Sequence, residues 1–119
     1  MMIRHTVKEL QSMIADHSAS SQEIYKLYIN RIRAMNDSIN AFISIESNEY
    51  SSDDKQPDSE INGVPYAVKD IFCSEGDQTT CGSKMLSGFV SPYDATVVKN
   101  LREKGTVILG KTNMDEFAM

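Results

Sequence analysis

Two apolar runs bracket an amphipathic stretch, and this order constrains the fold more than any other feature. In the first run Val64, Tyr66 and Val68 alternate after the turn pair Asn62-Gly63 and stop abruptly at Lys69-Asp70. Thr106-Val107-Ile108-Leu109 forms the second run. Between them a helix is predicted from Asp94, with Val97, Val98 and Leu101 facing inward. Lys99, Arg102 and Lys104 favour the negative end of its dipole, and Gly105 stops it in the left-handed cap position. Strand, crossover helix and strand make a βαβ unit, so a parallel pair with a right-handed connection is expected. Lys69 then sits where a strand leaves the core, which is where open α/β sheets collect functional groups. A lysine in that place is more often a solvated end-charge than a catalyst, and the run alone does not decide.

At 119 residues the chain has room for one domain with a real core and too little for two. Its 40% hydrophobic and 24% charged residues are ordinary for a water-soluble domain. Net charge is −5, from 12 scattered basic and 17 acidic residues, which argues against this segment gripping a phosphate backbone. No apolar run approaches the length that spans a bilayer, and the start, Met1-Met2-Ile3-Arg4-His5, resembles neither a secretory signal nor a transit peptide. Cys73 and Cys81 are the only cysteines, with no histidine near them. They read as two reduced thiols of a cytoplasmic protein rather than a disulfide framework or zinc site.

Upstream, Thr6-Val7-Lys8-Glu9 and Ser20-Ser21-Gln22-Glu23 each match the capping box. Val7, Leu10 and Ile14 predict a helix over 7–17; Ile24, Leu27, Tyr28, Ile32 and Met35 predict a second, ended by Asn36-Asp37. The pair reads as a helical hairpin laid on something larger, with His5 and His17 as surface residues. Ala41-Phe42-Ile43-Ser44-Ile45 reads as a strand. From Glu46 to Glu60 the only sizeable apolar side chain is Tyr50, so a flexible surface loop is expected. Residues 73–92, rich in Gly, Ser and Thr, predict an ordered but irregular connection. Asn113-Met114-Asp115-Glu116 opens one more helix with Phe117 as its anchor, and the chain reads as cut within it.

Gly105-Thr106-Val107-Ile108-Leu109-Gly110-Lys111-Thr112 satisfies the Walker A pattern. A P-loop, however, needs its four middle residues as a phosphate-cradling nest after the strand, and here they are the strand. The match is rejected. Lys111 and Thr112 are read instead as residues of the loop leaving the sheet, near the point where Lys69 leaves it.

Gly63-Val64-Pro65 leading into Val68-Lys69-Asp70, then Thr79-Thr80-Cys81-Gly82-Ser83-Lys84, resembles the opening of an amidase signature enzyme. Pro92-Tyr93-Asp94-Ala95-Thr96-Val97-Val98 and Gly110-Lys111-Thr112-Asn113-Met114-Asp115-Glu116-Phe117-Ala118-Met119 narrow the likeness toward the glutamine-hydrolysing subunits of tRNA-dependent amidotransferases. It covers residues 63–119 densely and 5–45 loosely. The resemblance implies an α/β fold: an N-terminal helical hairpin plus the first βαβ unit of the mixed-sheet amidase signature fold. Residues 1–119 would be the N-terminal portion of a single amidase domain, with helices over about 7–35 and a βαβ core over 63–119.

The resemblance also implies a Ser–cis-Ser–Lys triad whose lysine is Lys69, the general base. A lysine takes a proton from serine only when neutral, and its ordinary pKa of about 10.4 opposes that near pH 7. Burial away from carboxylates is the natural remedy. Asp70 should point to the opposite side in extended chain and is read as structural. Both triad serines, and the oxyanion-hole amides, belong to a Gly/Ser-rich signature expected after Met119. The 46–60 connection is shorter than the family's usual one.

By the same resemblance the intact protein would hydrolyse glutamine through a seryl acyl-enzyme and pass ammonia to the B subunit of an amidotransferase complex. That partner would use ATP and magnesium to amidate glutamate on mischarged Glu-tRNA(Gln), and the C subunit would complete the complex. No cofactor or metal is expected in this segment itself. Two alternatives stand: a stand-alone amidase acting on another small amide, or a catalytically dead truncated segment.

Overall fold

The computed structural model describes residues 3–47, 50 and 58–119. Among these, α1 (Val7–Ala15) and α2 (Ser21–Ile39) form the hairpin, followed by β1 (Phe42–Ile45), β2 (Pro65–Lys69), α3 (Thr96–Glu103) and β3 (Val107–Thr112). Short 3-10 turns occur at Lys84–Leu86 and Glu116–Ala118. The strands make one mixed sheet in the order β1-β3-β2, with β2 parallel and β1 antiparallel to β3. The βαβ pattern required this parallel neighbour. The 46–60 connection falls mostly on residues outside the described ones; Tyr50, which is described, packs its ring on Tyr25 with centroids 5.7 Å apart.

Both helices open on the reciprocal caps their sequences announce. The Glu9 carboxylate accepts the Thr6 amide at 2.6 Å while Thr6 Oγ1 accepts the Glu9 amide, and Glu23 and Ser20 repeat the exchange. These bonds, the backbone one foremost, hold both carboxyls below their ordinary range. α1 ends earlier than 17 because His17 turns to φ 59 and its amide bonds back to the Ile14 carbonyl. α2 runs past Asn36-Asp37 to a left-handed Asn40. Asn36 does not break the helix because its side chain is engaged elsewhere: it pairs with both backbone groups of Phe42, at 2.8 and 3.0 Å, and so fixes where β1 begins.

The apolar stripe of α2 is rotated from the one the sequence suggested. Ile24 packs with Leu10, Ala19 and Val64, joining the hairpin to the start of β2. Tyr25 and Ile29 pack on Val107 and Leu109, which seats α2 on β3. Each buried isoleucine contributes about 2 kcal/mol by apolar burial. Leu27 is only half-buried.

Three further expectations are corrected. α3 starts at Thr96 rather than Asp94, because the Asp94 carboxylate accepts the Glu75 amide at 2.7 Å instead of capping the helix. Of the residues expected inward, Val98 is fully buried but Val97 is exposed. The segment after β3 forms no α-helix, only the 3-10 turn at Glu116–Ala118: Asn113 Oδ1 accepts the Met114 amide, Phe117 takes φ 52, and its amide bonds to the Cys81 carbonyl. Asparagine competing for a neighbouring amide is a common way to lose a first helical turn.

Candidate active site

β2 delivers Lys69 as its last residue, and strand alternation sends neighbouring side chains to opposite faces. Ala67 and Lys69 are exposed, whereas Val68 and Asp70 are buried. Among the described residues the Lys69 amine has no hydrogen-bond or ion-pair partner. The chain turns immediately afterward, the Phe72 amide bonding to the Lys69 carbonyl at 3.0 Å. Ile71, Phe72 and Phe117, which come after the two parallel strands, are exposed.

Asp70 goes the other way and is fully buried. Its Oδ2 accepts both the amide of Thr80, at 3.0 Å, and the Thr80 hydroxyl. Its Oδ1 accepts the Lys111 amine at 3.1 Å. Lys111 is itself 2% exposed and also donates to Thr79 Oγ1 at 3.1 Å and to the Gln78 carbonyl at 3.4 Å. An ammonium has three donors, and all three are used.

Lys111 is therefore not on a loop leaving the sheet, as its position after Gly110 suggested, but inside β3, which runs to Thr112. A β-bulge accounts for the difference. Tyr66 pairs with Ile108 and Val68 with Lys111, so β3 spends three residues where β2 spends two. The extra residue carries Lys111 off the α2 face of Val107 and Leu109 and onto the face of Val68 and Asp70. Gly110 makes this possible: its φ is +149, and a Cβ there would lie 2.3 Å from the Ser44 carbonyl oxygen. The Walker A reading fails on the same ground, since Val107, Ile108 and Leu109 are strand and the lysine is sealed.

The connection between β2 and α3 is irregular, as predicted, but tightly tied. Ser74 donates to Asp77 at 2.5 Å and accepts from Arg102 at 2.7 Å, which pins the connection to α3. Ser83 donates to Glu116 at 2.7 Å, and Ser91 to the Tyr93 carbonyl at 2.6 Å. These serines are committed to structural bonds. Cys73 and Cys81 are free thiols, and the neighbouring Cys73 side chain raises the pKa of Tyr93. Among the described residues no group of three His, Cys, Asp or Glu could hold a metal ion, and no helix is long and apolar enough to cross a membrane.

Two surface grooves, of about 530 and 540 Å³, are lined by hairpin residues such as His17 and Glu23 or Thr6 and Met13, and not by Lys69. A cavity of about 180 Å³ beside Lys111 is smaller than a typical ligand pocket. The chemistry this arrangement offers is thus an unpaired amine at the carboxyl end of a parallel strand, next to a saturated ion pair. Sequence reasoning placed Lys69 at the end of a strand, where it lies, but missed the Asp70–Lys111–Thr80 cluster; the pair Gly110-Lys111 and the tandem Thr79-Thr80 were its only traces.

A lysine at this strand end and the motifs around it coincide with a family model, that of the amidases, which matches residues 23–119. The chain belongs to the amidase family. It is 46% identical to the A subunit of glutamyl-tRNA(Gln) amidotransferase from Hahella chejuensis and 47% identical to that of Azoarcus sp., in each case over 99% of this chain and 26% of the relative. The chain thus spans about a quarter of the length of these relatives. Among solved structures, the A subunit of the Thermotoga maritima amidotransferase superposes with a TM-score of 0.83 at 34% identity, over 98% of this chain and 24% of that one. The peptide amidase of Stenotrophomonas maltophilia superposes with a TM-score of 0.85 at 27% identity, over 97% and 26%.

Proposed function

We propose that this chain corresponds to the N-terminal region of the glutamine-hydrolysing subunit of a bacterial-type glutamyl-tRNA(Gln) amidotransferase, with Lys69 as general base. The fold alone does not separate this reading from a stand-alone amidase, because the peptide amidase superposes as well as the amidotransferase protein. Sequence identity carries the choice: 46% to an amidotransferase relative along nearly the whole chain, against 27% to the peptide amidase.

In this reading Lys69 draws a proton through the cis-serine from the nucleophilic serine, both serines lying beyond residue 119. The serine oxygen attacks the side-chain amide carbon of glutamine, ammonia leaves, and water releases glutamate from the acyl-enzyme. Ammonia passes to the B subunit, which uses ATP and magnesium on mischarged Glu-tRNA(Gln); the C subunit completes the cytoplasmic complex. The lack of any partner for the Lys69 amine among the described residues supports the base role, its exposure leaves the burial that a neutral lysine needs to the rest of the complete protein, and the saturated amine of Lys111 rules itself out as a competitor.

Lys69→Ala in the complex reconstituted around the complete glutamine-hydrolysing protein tests this. Glutamine-dependent amidation should fall at least about 100-fold, the scale of a lost general base, while amidation driven by added ammonia persists. Equal loss of both activities would mean that Lys69 only holds structure.

A further inference from the structure

We propose that Lys111 is a positioning residue for Lys69, acting through Asp70; the catalytic half of this proposal rests on the function just assigned. Lys111 reaches the buried side only through the Gly110 bulge, a local distortion that a regular strand would not need. What it reaches is the residue immediately after Lys69. Asp70 is held on four sides at once: its carboxylate by Lys111 and by Thr80, its amide by the Thr112 carbonyl at 3.2 Å, and its carbonyl by the Cys81 amide at 3.0 Å. The Lys111 amine adds Thr79 and the Gln78 carbonyl. One side chain thus joins β3, the end of β2 and the 78–81 segment.

Two physical arguments separate positioning from plain stabilisation. A buried ion pair is a poor source of stability, since well-packed apolar residues of the same volume serve as well or better. A pair built at the expense of a strand's regularity therefore points to placement. The second argument is electrostatic. An opposite charge nearby favours the protonated form of an amine, whereas a lysine base must shed its proton. Asp70 is the carboxylate nearest to Lys69 in sequence, and Lys111 with Thr80 holds it on the opposite face of the strand.

The test compares Lys111→Met with the double variant Asp70→Asn/Lys111→Met in the 119-residue chain, reading amide hydrogen exchange by NMR. Three amides report the tie: Thr80 on the Asp70 carboxylate, Cys81 on the Asp70 carbonyl, and Phe72 on the Lys69 carbonyl. Lys111→Met leaves a buried carboxylate without its cation, and exchange should rise everywhere, most at these three. The double variant leaves no orphan charge, so amides of α2 should return to within about threefold of wild type. The three reporters should stay at least about tenfold fast, because the side-chain link from Asp70 and the 78–79 segment to β3 is still missing. Reporters that recover together with α2, or that are unprotected in the wild type, overturn the proposal. In the reconstituted complex the double variant should lower the glutamine-dependent kcat about 100-fold, as a displaced catalytic group does, with KM nearly unchanged. A wild-type complex that ignores glutamine defeats the functional assignment alone, and the exchange experiment still decides the tie.

Discussion

Polar groups at the hairpin and at the carboxyl end of the sheet are satisfied in opposite ways. In the hairpin, Thr6 with Glu9 and Ser20 with Glu23 exchange bonds between exposed residues three apart. At the sheet end, Asp70 bonds to Thr80 and Lys111, ten and forty-one residues away, with every participant buried. Water competes for the first kind of bond and is absent from the second. A broken cap is re-solvated, whereas a broken buried pair leaves a charge with nowhere to turn. Local bonds thus decide where helices start, and the long-range buried ones decide how β2, β3 and the connection stand relative to Lys69.

The largest effect should come from cutting the buried pair on one side. Lys111→Met should destabilise the chain by about 3–5 kcal/mol, and Asp70→Asn added to it should recover most of that. Lys69→Met, which removes an exposed amine one register step away, should stay within about 0.5 kcal/mol. Urea midpoints of the three variants check this. If Lys111→Met proves as mild as Lys69→Met, the contrast between buried and exposed polar bonds collapses.

Gly110→Ala comes next. The added methyl meets the Ser44 carbonyl oxygen at 2.3 Å and the Ile45 Cα at 3.0 Å, both backbone atoms that cannot swing aside. With the unfavourable φ, the cost should be about 3 kcal/mol. The same change should loosen the Thr80 and Cys81 amides, since the bulge is what aims Lys111 at Asp70. A mild, purely global effect would show that the bulge is incidental to the pair.

This contrast also explains what could be read from the chain. The capping boxes, the αL stop at Gly105 and the strands around Val64–Val68 and Val107–Leu109 rest on neighbours within a turn or a strand, so their sequence is sufficient. The parallel β2–β3 pair and its crossover helix followed from their order, whereas the mixed sheet was expected only from the family resemblance. Lys69 was legible for the same reason, as a charge at the end of an alternating run. Lys111 was not, because its face depends on one extra residue in β3 relative to β2, and no local pattern records a register between strands. Asp94 was misread as the start of α3 because its partner, the Glu75 amide, is nineteen residues away. The helix expected at Asn113 failed similarly: Glu116 is held by Ser83 and Phe117 by Cys81, both in a distant connection. The rotation of the α2 stripe toward Tyr25 and Ile29 required knowing that β3 lies beneath it.

A smaller effect should appear in acid at the hairpin. Hydrogen bonds from the Thr6 and Ser20 amides, then from their hydroxyls, lower the Glu9 and Glu23 pKa values from the ordinary 4.5. A carboxyl with a depressed folded pKa contributes stability above its unfolded value and loses it as pH falls through the folded one. The caps should therefore be intact above about pH 4.5 and weaken progressively below it. Glutamine in place of each glutamate keeps an acceptor but cannot titrate. Thermal melts of Glu9→Gln/Glu23→Gln should then show a shallower acid dependence than wild type. Parallel curves would mean that the acid response comes from elsewhere, and the hairpin would no longer serve as the exposed half of the comparison.

The smallest expected change is a gain. His17 occupies the left-handed position after α1 at φ 59, where a Cβ crowds the backbone and glycine is at ease. Its side chain is exposed and its backbone amide bonds to Ile14 whatever the residue. His17→Gly should relieve strain of about 1 kcal/mol, part of which glycine's greater freedom in the unfolded chain offsets, leaving a net gain of about 0.5 kcal/mol or less. His17→Ala separates the two contributions, since alanine loses the imidazole and keeps the crowded Cβ; it should show no gain. Equal gains from glycine and alanine would assign the effect to the imidazole and remove backbone strain from the account. Because α1 meets the rest of the chain through Leu10, Met13 and Ile14 rather than through His17, the exchange of the Thr80, Cys81 and Phe72 amides should keep its wild-type order in both variants. A hairpin change that reached those amides would mean that the local and long-range bonds are coupled, and the sheet end would then owe its geometry to more than the Lys111–Asp70 pair.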